Sequence, residues 1–159
     1  MDAMLAIDIP GYRALRLEHL VLDYNGTLAC DGELLEGVRE RLDALAGKLH
    51  IHILTADTFG KARVQLAGVP CALSILPVED QDRCKLDYVQ QLGPETTVCV
   101  GNGRNDRLML QAAALAIVVV QAEGAAAQTL LAADVLSPDI LTALDLLTHP
   151  LRLVATLRS

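Results

Sequence analysis

The sequence predicts a three-layer α/β fold, with a central, mostly parallel sheet and helices on both of its faces. Three observations predict it. Apolar runs alternate along the chain with segments of helical period, which is the pattern of repeated βαβ units. Hydrophobic residues make up 52% of the chain but aromatics only 3%, so the core is Leu, Val, Ile and Ala, the set that fills a sheet buried on both faces. The 159 residues suit one domain spanning 1–159, and no repeat, low-complexity tract or linker interrupts them.

The elements follow in order. "MLAIDIPG" reads as an extra edge strand ended by Pro10. "LEHLVLDY" is a strand, "LEGVRERLDALAGKL" an amphipathic helix and "HIHILTA" a strand. "GKARVQLAG" is a short helix, "CALSIL" a strand, and "EDQDRCKLDYVQQLG" a helix ended by Gly93 and Pro94. "TTVCVG" is a strand, "NDRLMLQAAA" a helix, "LAIVVV" a strand, "GAAAQTLLAA" a helix and "DVLS" a last short strand. "PDILTALDLL" is the closing helix, with Pro138 in its first turn. The tail "LLTHPLRLVATLRS" suits either packing on the core or an oligomer contact.

Several function classes are excluded. A net charge of −7 argues against a nucleic-acid surface, because phosphate backbones select basic patches. The longest apolar run, residues 112–120, falls far short of the roughly 20 residues that span a bilayer. The start "MDAMLAIDIPGYR" has an early acid and no basic region, unlike a signal peptide. Cys30, Cys71, Cys84 and Cys99 form no CxxC pair and read as free thiols in a reducing compartment, so the expected location is cytoplasmic.

Right-handed crossovers put the C-terminal ends of parallel strands on one edge, where ligands bind. Four groups gather there. "DYNGT" (residues 23–27) follows the first long strand and "TAD" (55–57) the second. Lys85 sits early in a helix, and "GNGRND" (101–106) follows a third strand. Carboxylates, a hydroxyl, a lysine and glycine turns together suit a phosphate and a hard cation. Asp23 is placed to attack phosphorus. Thr55 can donate a hydroxyl hydrogen bond, and Lys85 balances the acids. Gly26 and Gly103 are expected to let backbone N–H groups approach phosphate oxygens. Asp106 is expected to hold Mg²⁺ directly or through water. A dinucleotide site is a poor reading, because Asp106 stands where GxGxxG needs its third glycine.

These four motifs, in this order, resemble the haloacid dehalogenase (HAD) superfamily of phosphohydrolases, over roughly residues 20–136. The ending "GxGxND", sixteen residues after Lys85 of "KxxxVxxLG", makes the likeness specific. The resemblance implies a Rossmann-like fold and a Mg²⁺-dependent phosphatase that forms an aspartyl-phosphate on Asp23. It implies Asp23, Asn25, Thr55 and Lys85 as catalytic residues. Gly26, Thr55, Ala56, Lys85 and Asn105 are implied for phosphate binding, and Asp23, Asn25, Asn102 and Asp106 for the metal. Asn25 would act there through its backbone carbonyl.

Within the superfamily, "DYNGT" and "TAD" look most like the DKTGT and TGD of P-type ATPases, which points to a soluble, P-type-ATPase-like branch. Two departures stand out. The family's second aspartate, a general acid and base, is Asn25 here, and the Asp that usually opens the last motif is Asn102. Both changes remove a negative charge, so weaker Mg²⁺ binding and slower proton transfer are expected. The alternative reading is a degenerate HAD domain that binds phosphate or a partner protein with little turnover. A dehalogenase without metal fits less well, given Asp106.

About 27 residues separate Thr27 from Thr55 and about 29 separate Thr55 from Lys85, which leaves no room for a cap domain. The likeness to capless members implies either a macromolecular substrate or a homo-oligomer that covers the site. "ACDGELL" (29–35) resembles the family's flap, with Asp31 and Gly32 at its tip. His50 and His52 form an HxH pair three to five residues before Thr55, roughly 10–16 Å from the crevice, and are expected to be structural. Arg104 lies in the site loop, where substrate contact and solvation are equally open.

Overall fold

The computed structural model describes residues 4–57 and 59–159. The reading of the extreme N-terminus as no signal peptide therefore falls partly on residues 1–3, outside the described residues.

The chain runs β1 (Leu5–Ile9), β2 (Arg13–Leu17), β3 (His19–Asp23), β4 (Ala29–Cys30), β5 (Glu33–Leu34), α1 (Val38–Leu45), β6 (His50–Thr55) and α2 (Lys61–Gln65). It continues as β7 (Ala72–Ile75), α3 (Gln81–Leu92), β8 (Thr97–Gly101), α4 (Arg107–Ala112), β9 (Leu115–Val119), α5 (Ala127–Ala132), β10 (Val135–Ser137), α6 (Ile140–Thr148) and α7 (Pro150–Leu157). Six strands form one parallel sheet in the order β10-β9-β8-β3-β6-β7. The chain leaves β3 toward β6 and β7 on one side, then returns to fill β8, β9 and β10 on the other. That reversal puts a topological switch point beside the C-terminal end of β3.

Alternate strand residues face opposite layers, and both layers are apolar. Leu20, Leu22, Ile53, Val98 and Val100 face a core completed by Val38, Leu42 and Leu45 of α1 and by Leu144 and Leu147 of α6. Val21, Leu54, Cys99 and Val118 face Val89 of α3 with Met109 and Leu110 of α4. Strands buried on both faces must be continuously apolar, so the chain can place Asp23 only where β3 stops.

Three expectations are corrected. The first strand is not an edge of the main sheet. β1 pairs antiparallel with β2 in a separate two-stranded sheet, in the register Leu5 opposite Leu17 and Ile9 opposite Arg13. Gly11 turns the hairpin at φ +73, and Leu5, Ile7, Ile9, Leu15 and Leu17 bury one face by period-2 alternation. Leu17 therefore ends β2, and β3 begins at His19.

Pro138 precedes α6 rather than sitting in its first turn. Asp139 is the N-cap, its side chain accepting a 2.7 Å bond from the Thr142 N–H. Nor does α6 close the chain. At His149 and Pro150 the axis bends by 101° into α7, whose Leu153 is buried in the core beside β1. The Ser159 N–H reaches Pro10 O at 3.2 Å, so the tail packs on the body of the protein. Among the described residues no single helix is long and apolar enough to cross a membrane.

Candidate active site

The ends of β3, β6 and β8 and the buried side of α3 converge on one cavity of about 440 Å³. Asp23 ends β3, 8% exposed, and opens on it. The turn that follows is wound around the carbonyl of Tyr24, which accepts from the N–H groups of Thr27, Leu28 and Ala29. Gly26 makes the turn possible at φ +86. A Cβ there would lie 2.6 Å from the Asn102 side-chain nitrogen.

β4 and β5 form the expected flap. Asp31 and Gly32 both take positive φ, 52 and 83, as a two-residue hairpin turn demands. Three contacts pin the tip. Tyr24 Oη donates to Gly32 O at 2.8 Å, the Gly32 N–H to Asn25 Oδ1 at 3.1 Å and Lys61 Nζ to Asp31 O at 3.1 Å. The Asn25 side chain thus holds the flap, on the wall of the cavity.

Behind Asp23 lies the charged heart of the site. Lys85, 1% exposed, donates to Asp23 Oδ1 at 2.8 Å, Asp106 Oδ1 at 2.8 Å and Asn105 Oδ1 at 3.2 Å, which uses all three of its protons. Asp106 is fully buried, and its second oxygen accepts from the N–H groups of Asn102 and Gly103, both at 2.9 Å. This carboxylate folds the loop back on itself and starts the 3₁₀ turn Arg104–Asp106. A Cβ on Gly101 would lie 2.5 Å from Asp106 Cγ, so this glycine makes room for an acid.

Thr27 Oγ1 stands 3.3 Å from both Asp23 Oδ2 and Asn102 Oδ1. Thr55 Oγ1 accepts from the Asp57 N–H at 3.2 Å, which leaves its own hydrogen for another acceptor. Asp57 caps the turn into α2 by accepting from the N–H groups of Phe59 and Ala62.

Burial raises the Asp23 carboxyl above the usual carboxylate range, the charge of Asp106 adds to the rise, and Lys85 opposes it. For Lys85, burial alone would lower the ammonium, but the charges of Asp106 and Asp23 more than offset it and the lysine is held well above its ordinary value. Lys85 therefore stays charged, and Asp23 is the carboxyl whose ionisation the site makes costly.

Most of the expected residues meet here: Asp23, Asn25, Thr55, Ala56, Asn102 and Asn105 line the cavity. Others sit differently. The Gly26 N–H donates to Ala29 O at 2.8 Å and that of Gly103 to Asp106, so neither amide is free for a phosphate oxygen. Lys85 and Asp106 lie behind the cavity wall and act on it through Asp23 and the loop. Asp106 is fully buried with both oxygens hydrogen-bonded, an arrangement that suits action on a metal through water.

A hard cation still fits, because Asp23 Oδ2 and Asn102 Oδ1 meet only the 3.3 Å Thr27 hydroxyl and face the same space as Asn25. Mg²⁺ is commonly held by one or two carboxylates plus waters. Among the described residues no three His, Cys, Asp or Glu side chains converge as a ready metal cluster. Asp23 would be the one carboxylate in the set.

The sequence reading missed Gln81, Glu123 and Phe59, which complete the lining. Gln81 is a polar residue one turn before Lys85, bonded to Asn105 Nδ2 at 2.9 Å. Phe59 is 95% exposed at the mouth. Gln121 was missed too. It donates to Gly26 O and Thr27 O and accepts from the Ile140 N–H, which locks the turn after Asp23 to α6. Only its place just beyond a buried parallel strand could have flagged it.

No protein-family model matches the chain. Two uncharacterized proteins of Methanocaldococcus jannaschii are similar in sequence. MJ0073 is 42% identical over 78 residues, covering 46% of this chain and 84% of that protein. MJ0072 is 54% identical over 39 residues, covering 24% of this chain and 89% of that protein.

Solved structures share the architecture at low identity. One is the 3-deoxy-D-manno-octulosonate 8-phosphate phosphatase of Moraxella catarrhalis, in complex with magnesium, phosphate and its KDO molecule. It superposes with a TM-score of 0.66 at 13% identity, over 88% of this chain and 92% of that one. The cobalt-bound deoxy-D-mannose-octulosonate 8-phosphate phosphatase from Haemophilus influenzae gives 0.63 at 14%, over 77% and 78%. A Streptomyces avermitilis protein assigned to the HAD family hydrolases gives 0.62 at 19%, over 77% and 76%.

Proposed function

We propose a function from one premise: the chain belongs to the family of MJ0073 and has the haloacid dehalogenase fold, without a cap domain among its described residues. The reading is a Mg²⁺-dependent phosphohydrolase of one domain, acting through an aspartyl-phosphate at Asp23. The observation that carries it is the trio of Asp23, Lys85 and Asp106 at 2.8 Å, in which only Asp23 opens on the cavity.

An Asp23 oxygen attacks phosphorus, the bond to the leaving oxygen breaks, and that oxygen takes a proton from water. A second water then attacks the phosphorus, releasing phosphate and restoring the carboxylate. Lys85 keeps Asp23 oriented and balances its charge, and the Thr55 hydroxyl is free to donate to the transferred group. Bound Mg²⁺, held by Asp23, Asn102 and Asn25, would neutralise phosphate charge. Asn25 has no proton to shuttle, and its side chain serves the flap instead.

The substrate is a phosphorylated molecule, small or macromolecular, and the open crevice suits a cytoplasmic homo-oligomer. The absent second acid supports placement beside the P-type-ATPase-like branch.

The test is beryllium fluoride binding with Mg²⁺, together with p-nitrophenyl phosphate hydrolysis with Mg²⁺ or Co²⁺. Asp23→Asn abolishes both, and unchanged turnover in that variant refutes the reading. General acid–base help is worth about 10²–10⁴-fold. Asn25→Asp therefore speeds phosphoenzyme decay, and helps alkyl phosphates more than p-nitrophenyl phosphate. The alternative, a phosphate- or partner-binding domain with little turnover, is supported by the loss of both acids at Asn25 and Asn102. It gains if Asn25→Asp leaves all rates flat.

A further inference from the structure

At the end of the sheet opposite the crevice, three of the chain's four histidines lie close together, with His50 and His52 each beside the His19 ring. His19 opens β3, His50 opens β6, and His52 follows two residues later; His19 and His50 are register partners. Strand parity sends all three toward the face of Val21 and Leu54. The His19 and His50 ring centroids lie 5.5 Å apart, and those of His19 and His52 5.1 Å. His19 Nδ1 is 3.0 Å from His52 Nε2, and the far nitrogen of His52 is 2.8 Å from Tyr88 Oη. Cys71, at the foot of β7, lines the same open groove as the three imidazoles.

These spacings match the needs of a borderline transition metal. Zinc takes imidazole nitrogen at about 2.0–2.1 Å, so two such nitrogens on tetrahedral corners stand roughly 3.3–3.4 Å apart. The pair at 3.0 Å has to open by only a few tenths of an ångström. Tyr88 on the far nitrogen of His52 is the outer partner that fixes ring and tautomer in metal-bound histidines. Among the described residues no three such side chains already meet at one point. The His19–His52 pair is thus the preformed part, and His50, exposed at the rim, completes the set by turning its ring inward.

We infer that His19, His50 and His52 form a site for a divalent transition metal of the zinc and cobalt class, with Cys71 or water filling the remaining position. It is separate from the crevice. His19 and Asp23 lie four residue steps apart along β3, about 13 Å at strand rise. Its nitrogen donors select a different class of cation from the oxygen donors there. A metal here would tie β3 to β6, and the inference does not depend on the hydrolase reading.

The test is a Co²⁺ titration of the chelator-stripped full chain, followed by visible absorption. Tetrahedral nitrogen ligation gives an intense band, whereas an all-oxygen six-coordinate site is nearly colourless. The expected result is a saturable one-to-one band that Zn²⁺ displaces and excess Mg²⁺ does not. Asp23→Asn keeps the band, and His50→Gln weakens binding at least tenfold. His50 is exposed, so that variant leaves the fold intact; His52→Gln gives the second check. Absence of a saturable band, binding as tight in His50→Gln as in the unaltered chain, or loss of the band in Asp23→Asn overturns the inference.

Discussion

β3 and β6 carry reactive side chains at both ends, and the two ends handle charge in opposite ways. At the C-terminal end, Asp23 shares a buried lysine with Asp106, and every oxygen and ammonium proton in the trio has a partner. At the N-terminal end, His19 and His52 meet at 3.0 Å, and burial lowers the pKa of both imidazoles. One end is held by ion pairing, two carboxylates on one ammonium, and the other by withholding charge. An ion-paired cluster fails when its shared cation is removed, and a neutral cluster fails when it is forced to take up a proton.

The largest expected effect comes from breaking the ion-paired end. Lys85→Met leaves two buried acids without their shared cation, a class of change that costs about 3–5 kcal/mol. Denaturant unfolding checks it, and an unchanged midpoint would remove the contrast between the two ends. Gly26→Ala comes next. Its positive φ and the clash with Asn102 cost about 1–3 kcal/mol and displace the turn after Asp23. Beryllium fluoride binding should fall along with stability.

The smallest effect sharpens the neutral end. The folded-state pKa of His52 is depressed to about 4 from 6.5, so its contribution is fully present above pH 6.5 and is lost as pH falls toward 4. The melting temperature of the metal-free chain should therefore drop less over that window in His52→Gln than in the unaltered chain. Parallel curves would mean that His52 is not held neutral by the fold.

The C-terminal end was more legible in the sequence than the N-terminal one. Apolar runs that stop at Asp23, Thr55 and Gly101 announce a parallel sheet with its polar residues at one edge, because a strand buried on both faces tolerates them nowhere else. The flap was readable from Asp31 and Gly32 through their turn chemistry. The β1–β2 hairpin was not, because Arg13 and Arg16 interrupt the apolar pattern of β2 and nothing local shows that Leu15 and Leu17 point inward. The Gly26 and Gly103 amides are committed within three residues of themselves, to Ala29 O and Asp106, by turn closures that residue types alone do not specify, and Lys85 reaches Asp106 from 21 residues away. The HxH pair could be seen, but its third member, His19, is 31 residues before His50 and only sheet register brings them together.

Tyr24 gives the flap an optical consequence. The chain has no tryptophan and three tyrosines, so its ultraviolet emission is tyrosine emission with no indole to drain it. Tyr12 lies on the remote hairpin and Tyr88 beside the histidines, whereas Tyr24 is fully buried next to Asp23 with its hydroxyl on the flap carbonyl of Gly32. Lifting the flap breaks that bond and wets the ring. With Tyr12 and Tyr88 replaced by phenylalanine, the chain becomes a single-fluorophore reporter whose intensity and lifetime follow flap position, with no dye attached.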